Sequence, residues 1–218
     1  MTTVLRIDAS TRLQNSLSRE LADTFERCLA EAVPDLKILR RDLGQTPPFI
    51  ICEAWVAAAF APEDARTADQ RKLLALSDTL IEEVAAADFI LLSTPMYNYG
   101  MPAGLKAWVD QVVRIGKTFT FDLARGDRPL EPILSGKTLV LTTACGEFGF
   151  EAGEPNAAHN HLAPHVRTIG KYLGVEGMHH IAIEYQEFRD QRHADSVSSA
   201  HRQARELVER LTVACTSA

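Results

Sequence analysis

Short runs of branched and aliphatic residues alternate along this chain with longer stretches whose apolar residues recur every three or four positions. The first run, Val4-Leu5-Arg6-Ile7, stops at Asp8-Ala9-Ser10. After a polar loop, residues 18–32 set Leu21, Phe25 and Leu29 at i, i+4 and i+8, the stripe of an amphipathic helix. Leu36, Ile38 and Leu39, after the Pro34-Asp35 turn, predict a second strand over 36–40, less buried than the first. Residues 45–62, with Pro47-Pro48 and Ala57-Ala58-Ala59, read as a loop with room for one short helix, and residues 67–87 as a helix presenting Leu73, Leu76, Leu80 and Val84.

Phe89-Ile90-Leu91-Leu92 is the most apolar run and suits the centre of a parallel sheet, where both faces are covered. Pro102 fits the first turn of a helix, where its missing N–H has no partner to lose, and Leu105, Trp108, Val109 and Val112 carry that helix to about Arg114. A strand over 138–143, an irregular insertion over 146–161, a helix over 164–173, a strand over 178–183 and a helix over 195–213 complete the pattern. Five strands alternating with helices predict an α/β fold, a doubly wound parallel sheet with helices on both faces. No repeat, low-complexity tract or Ser/Gly linker divides it, so residues 1–218 are expected to form a single domain.

The composition, 46% hydrophobic and 24% charged over 218 residues, is that of a self-sufficient globular domain, which at this size buries about 70% of its unfolded surface. A net charge of -6, from 23 Lys and Arg against 29 Asp and Glu, speaks against a nucleic-acid partner, because phosphate backbones need a basic face. A single small anion held by backbone N–H groups stays open. No apolar run approaches the ~18–20 residues that span a bilayer, and Met1-Thr2-Thr3 leads into the first strand without the apolar core of a signal peptide. Cys28, Cys52, Cys145 and Cys215 are too few and too scattered for a disulfide framework. The expectation is a cytoplasmic protein with free thiols and neither a membrane nor a nucleic-acid partner.

In a doubly wound sheet, ligands bind beyond the carboxyl ends of the strands where strand order reverses, which selects the loops after strands one, three and four. The first loop, residues 10–18, enters a helix with hydroxyls in place of glycines. Helix-start N–H groups with the Ser16 and Ser18 hydroxyls, helped by Arg12, suit a phosphate monoester, although a serine before a helix is more often a plain N-cap. The loop matches neither G-x-G-x-x-G nor the phosphate loop ending in G-K-[ST]. The second, Pro95-Met96-Tyr97-Asn98-Tyr99-Gly100, gathers two aromatic rings, a thioether and an amide. That set suits a flat conjugated ring with a polar edge better than it suits a loop folded back on the core.

The third loop, Thr143-Ala144-Cys145-Gly146, allows close backbone approach to a ring at Gly146. Cys145 has no basic sequence neighbour to lower its pKa and reads as a buried small hydrophobe, not a nucleophile. His159, His161 and His165 lack a Cys or carboxylate to complete a four-ligand set and have Pro164 among them, so they read as a polar segment and no metal is expected. No G-x-S-x-G motif is present.

At these windows the chain resembles the FMN-dependent NADH-azoreductases, also described as FMN-dependent NADH:quinone oxidoreductases, within the flavodoxin-like group. Residues 93–121 match that family almost position for position, in Pro95-Met96-Tyr97-Asn98-Tyr99, Pro102, Leu105-Lys106, Asp110 and Arg114-Ile115-Gly116-Lys117-Thr118-Phe119. A weaker likeness covers nearly the whole chain, through residues 10–18, Arg41-Asp42-Leu43, Leu76-Ser77-Asp78 and the strand ending in Thr142-Thr143. The resemblance implies a flavodoxin-like domain in which Ser10, Ser16 and Ser18, with Leu17 between them, bind the FMN phosphate. It assigns Met96, Tyr97, Asn98 and Tyr99, after Pro95, to the isoalloxazine ring, and Thr143, Ala144, Cys145 and Gly146 to the ring's pyrimidine side. Phe121, Tyr172 and Glu184 align with positions lining the family's substrate site.

The chain departs from the family where Thr143-Ala144-Cys145-Gly146 replaces a Ser-Arg-Gly-Gly run, and residues 147–161 form a longer loop. The resemblance further implies a homodimer with FMN near the interface of each site. Reduction then runs in alternating half-reactions, with hydride from NADH or NADPH passing to the flavin and electrons onward to a quinone or azo compound. No catalytic side chain is expected, because flavin N5 carries the hydride and the protein binds and orients it. The alternatives are a flavodoxin-type electron carrier, a general NAD(P)H-dependent FMN reductase and a flavin-free module on the same scaffold. Residues 45–62 and 146–161 exceed what a bare carrier needs.

Overall fold

The apolar runs become the strands of one sheet in the computed structural model, which describes residues 2–216. The first half of the chain forms β1 (Thr3–Asp8), α1 (Leu17–Ala32), β2 (Lys37–Asp42), α2 (Glu53–Phe60), α3 (Ala68–Ala86), β3 (Phe89–Pro95) and α4 (Ala103–Val112). The second half forms β4 (Phe119–Phe121), β5 (Leu130–Pro132), β6 (Lys137–Ala144), α5 (Ala163–Gly170), β7 (Val175–Ile183) and α6 (Gln191–Thr216). β2, β1, β3, β6 and β7 lie side by side in that order, all parallel, so the winding reverses between β1 and β3. Among the described residues, no helix is long and apolar enough to cross a membrane.

Strand periodicity sorts the core into two layers. Leu5, Ile7, Ile90, Leu92, Leu139 and Leu141 meet Leu80 and Val84 of α3, Trp108 of α4 and Val166 of α5 on one face. Val4, Leu91, Val140 and Ile181 meet Leu21, Phe25 and Leu29 of α1 and Ala204, Leu207 and Val208 of α6 on the other. Burying each such Leu, Ile or Phe contributes about 1.5–3 kcal/mol, and β3, apolar toward both layers, sits at the centre as its sequence requires.

The departures from the expected elements have local causes. Leu74, Leu80, Ile81 and Val84 of α3 are buried, while Leu73 and Leu76 are only partly so, because α3 packs against the sheet and also against Trp55 and Ala58 of α2. A capping box of Thr67 and Gln70 starts this helix. α4 ends at Val112, before Arg114, whose buried guanidinium donates to Ser77 Oγ at 2.8 Å and pairs with Asp78 of α3. The β4–β5 hairpin left no mark in the hydrophobic pattern, since its three-residue strands carry exposed Phe121 and Leu130 and present no buried face.

A buried arginine in β1 breaks the apolar rule. Arg6 in β1 is 4% exposed, and its guanidinium donates to Asp8 at 2.9 Å, to Asp23 of α1 at 2.6 Å and to Glu26 of α1 at 3.0 Å. Burial pulls its pKa down, but the three carboxylates outweigh burial and hold it above the ordinary arginine value. Arg6→Ala therefore strands carboxylates against the sheet, with an expected loss of about 3 kcal/mol in urea unfolding at neutral pH. A loss below about 0.5 kcal/mol, the range of an exposed pair, would contradict a structural role for the network.

Candidate functional site

The loops after β1, β3 and β6 meet at the carboxyl edge of the sheet around a cleft of about 190 Å³. One wall is the start of α1. Ser16 is its N-cap, in extended conformation, but its hydroxyl makes no capping bond. The first intrahelical bond runs from Glu20 N to Ser16 O at 2.9 Å, so the N–H groups of Leu17, Ser18 and Arg19 have no helical acceptor. Ser18 Oγ is buried with no hydrogen-bond partner. Arg12 and Ser10 complete this wall. An orphaned buried hydroxyl beside free N–H groups at the positive end of a helix is arranged to take an anion, and leaving it unsatisfied costs about 1–3 kcal/mol.

The loop is held from behind. Arg19 donates to the Ser10 carbonyl at 2.7 Å and forms a two-bonded pair with Asp42 at 2.8 and 2.7 Å. Asp42 in turn accepts from Gly44 N at 3.0 Å and Gln45 N at 3.1 Å. A Cβ at position 44 would lie 1.9 Å from Ser10 O, so only glycine fits there. Burial would raise the Asp42 pKa, but the bonds from Arg19 and Gln45 overcome it and bring it down to about 2.

The second wall is residues 95–99. Tyr97 and Gly100 exchange N–H to carbonyl bonds of 3.1 and 3.0 Å, closing a tight turn with Asn98 at φ 48° and Tyr99 at φ 65°, both left-handed. A tyrosine at positive φ costs on the order of 1–3 kcal/mol and needs external support. The insertion supplies it. Tyr99 OH donates to Glu147 Oε1 at 2.8 Å, its ring packs on Phe150 and His159, and its carbonyl accepts from His161 N at 2.9 Å. Among the described residues, no three His, Cys, Asp or Glu side chains are placed to hold a metal ion. Pro95, Met96 and Tyr97 line the cleft, whereas Asn98 and Tyr99 line a depression beside it.

The third wall is the end of β6. Ala144 and Gly146 face the cleft, and Cys145 and Gly146 face the depression. Thr143 and Glu184 instead line a small cavity behind Met96, where Thr143 Oγ1 lies 2.8 Å from His180 Nε2. Burial raises the Glu184 carboxyl pKa. Burial, with Glu184 and Glu147 nearby, pushes the Cys145 thiol up to about 12, so it is a neutral packing group at neutral pH.

Two lining residues had no sequence signal. Gln186 N donates to Cys145 O at 3.2 Å and Glu187 N to Gly146 O at 3.1 Å, which draws the chain after β7 across the third loop and into the cleft. Phe121 and Tyr172 lie outside these cavities of the chain. Phe121 is half exposed on β4, and the Tyr172 ring packs on Phe119 with centroids 5.3 Å apart.

A five-stranded parallel sheet of this order, with an unpaired helix start and an aromatic loop at its switch point, has the architecture of a flavodoxin-type protein. The family model described as the flavodoxin-like fold matches residues 2–208, and the chain belongs to that family. It is 52% identical over 223 residues to the FMN-dependent NADH:quinone oxidoreductase 2 of Idiomarina loihiensis, covering 99% of this chain and 93% of that protein. It is 54% identical over 218 residues to the protein of the same name from Colwellia psychrerythraea, covering 97% of this chain and 100% of that one. Among solved structures, an azoreductase from Bacillus anthracis superposes with a TM-score of 0.85 at 21% identity, covering 96% of this chain and 100% of that one. An FMN-dependent NADH-azoreductase from the same species, in complex with FMN, superposes at 0.84 with 16% identity, covering 97% and 100%.

The clamp behind the first loop has a pH signature. The Asp42 pKa lies below its unfolded value of 3.8, so its stabilisation is complete above that pH and is lost as pH falls toward about 2. Urea midpoints of wild type and Asp42→Asn should differ at pH 6 and converge by about pH 2. A gap that stays constant across this window would contradict the ionic clamp.

Proposed function

We propose that this chain is an FMN-dependent NAD(P)H oxidoreductase that reduces quinones, and azo compounds as further acceptors, by two-electron transfer. The observation that carries the reading is the orphaned Ser18 hydroxyl beside the free N–H groups of α1, in a cleft whose opposite wall is Pro95, Met96 and Tyr97. In this reading the cleft and the depression beside it would take the two ends of one FMN. Ser10, Ser16, Leu17 and Ser18 would hold the phosphate. The 95–99 loop and residues 144–146 would hold the ring, with Asn98 and main-chain groups at its polar edge. Bound FMN would supply the hydride chemistry between NADH or NADPH and the acceptor, and these residues would bind and orient it. The names of the relatives support the quinone class, and those of the structural neighbours support azo compounds.

The working form in this reading is a cytoplasmic homodimer. Exposed Phe121, Leu123, Leu130 and Ile133 around the β4–β5 hairpin, with Ile50 before α2 and Phe60 at its end, are apolar surface that a second copy would cover. A partner would also be the route by which Phe121 and Tyr172 reach a substrate site. Cys28, Cys52 and Cys145 are free thiols, as suits a reducing compartment, while the side chain of Cys215 lies outside the described residues.

Two experiments test the site. Ser18→Ala should weaken FMN binding about tenfold, read by quenching of flavin fluorescence, while leaving the apoprotein as stable or slightly more so, because it removes a buried unpaired hydroxyl. Unchanged FMN affinity would contradict the phosphate cradle. With NADH and a neutral quinone varied together, double-reciprocal lines should be parallel, because one slot beside the 95–99 loop serves donor and acceptor in turn. Intersecting lines would contradict a shared slot.

A further inference from the structure

The cleft and the depression beside it share Met96, Gly146 and Glu187 but differ in charge. The cleft has Arg12, three serines and a helix N-terminus. The depression has no Lys, Arg or His among its lining residues and two carboxylates, Glu147 and Glu187. Its other titratable groups are neutral at neutral pH. The bond to Glu147 raises the Tyr99 phenol, and burial holds the Cys145 thiol protonated. Glu147 is fixed by Tyr99 OH at 2.8 Å. Glu187 is exposed, and its carboxylate accepts no hydrogen bond among the described residues. Its stem is pinned over Gly146, where an added Cβ would come within 2.8 Å of Glu187 Cγ. Arg192, five residues on, does not neutralise it, being paired with Asp190 at 2.6 Å and laid over the Phe188 ring.

We infer that Glu147 and Glu187, at the rim of the depression where the flavin ring would lie, select by charge the acceptor that stacks on the ring, so that neutral or cationic quinones and azo compounds are taken and those bearing sulfonate or carboxylate are disfavoured. The inference rests on the reading above, in which the acceptor enters beside the 95–99 loop. Two carboxylates at the rim of a wet depression act over a few ångströms through a high dielectric, which sets the expected discrimination at roughly three- to tenfold and makes it sensitive to salt.

The test compares 1,4-naphthoquinone with its 2-sulfonate as acceptors for the FMN-loaded protein at saturating NADH. The measured quantity is the ratio of kcat/KM for the sulfonate to that for the neutral quinone, in wild type, Glu187→Gln, and Glu147→Gln with Glu187→Gln. Intrinsic differences in reactivity cancel when the ratio is compared between proteins. The ratio should rise about three- to tenfold in the double variant at low salt, and in wild type it should rise as salt increases from about 20 to about 300 mM. Glu187→Gln alone, at an exposed side chain without hydrogen bonds, should give about a twofold rise and guards against disturbance of the Tyr99 turn by the second substitution. Calorimetric titration with naphthalene-2-sulfonate, which accepts no electrons here, should show the same ordering in its Kd. Equal ratios and equal Kd values in all three proteins at low salt would overturn the inference. If wild type fails to reduce even the neutral quinone, the oxidoreductase reading falls, and the calorimetry alone decides the charge preference.

Discussion

Arg19 holds together three segments on which the whole site rests. It leaves the first turn of α1, donates to the carbonyl of Ser10 at the start of the loop after β1, and pairs with Asp42 at the end of β2. Residues 10–18 contain no glycine, so this loop cannot reach its position through backbone freedom alone. It has one left-handed residue, Asn15 at φ 55°, and is otherwise fixed by the guanidinium and by Gly44, whose missing side chain makes room for Ser10. With the loop fixed, the α1 N–H groups and the Ser18 hydroxyl share one wall of the cleft instead of scattering along a mobile segment. A small anion can then be taken up at little ordering cost by a chain with a net charge of -6.

The second wall follows the same physics with different parts. Tyr99 sits in a conformation that a tyrosine disfavours, and residues 147–161 hold it there through a carboxylate, two rings and a backbone bond. The insertion thus supports the aromatic loop. It also brings Glu147 to the edge of the depression, so the element that shapes the slot sets its charge as well.

The sheet was legible because its strands bury both faces and leave long apolar runs, and because α1 and α6 repeat their apolar residues at helical spacing. The switch-point rule, applied to the expected doubly wound sheet, pointed to the three loops that meet at the cleft. What stayed hidden were polar contacts between residues far apart in sequence. Arg6 looked like one polar residue in an apolar strand, yet it is buried against Asp23 and Glu26 of the next helix. Arg19, Asp42 and Gly44 leave no periodic trace, and Gln186 and Glu187 enter the cleft only because the chain after β7 folds across residues 145 and 146. The family resemblance took in Ser77-Asp78 and Arg114 as separate matches, and the structure brings them into one buried contact.

That this cleft holds FMN and lets it exchange hydride with a nicotinamide is tested most directly by the visible spectrum of the purified protein reconstituted with FMN under anaerobic conditions. Oxidised flavin absorption should be retained after removal of excess FMN, should bleach on addition of NADH, and should return when a quinone is added. A protein that retains no flavin, or a bound flavin that NADH leaves oxidised, would contradict it.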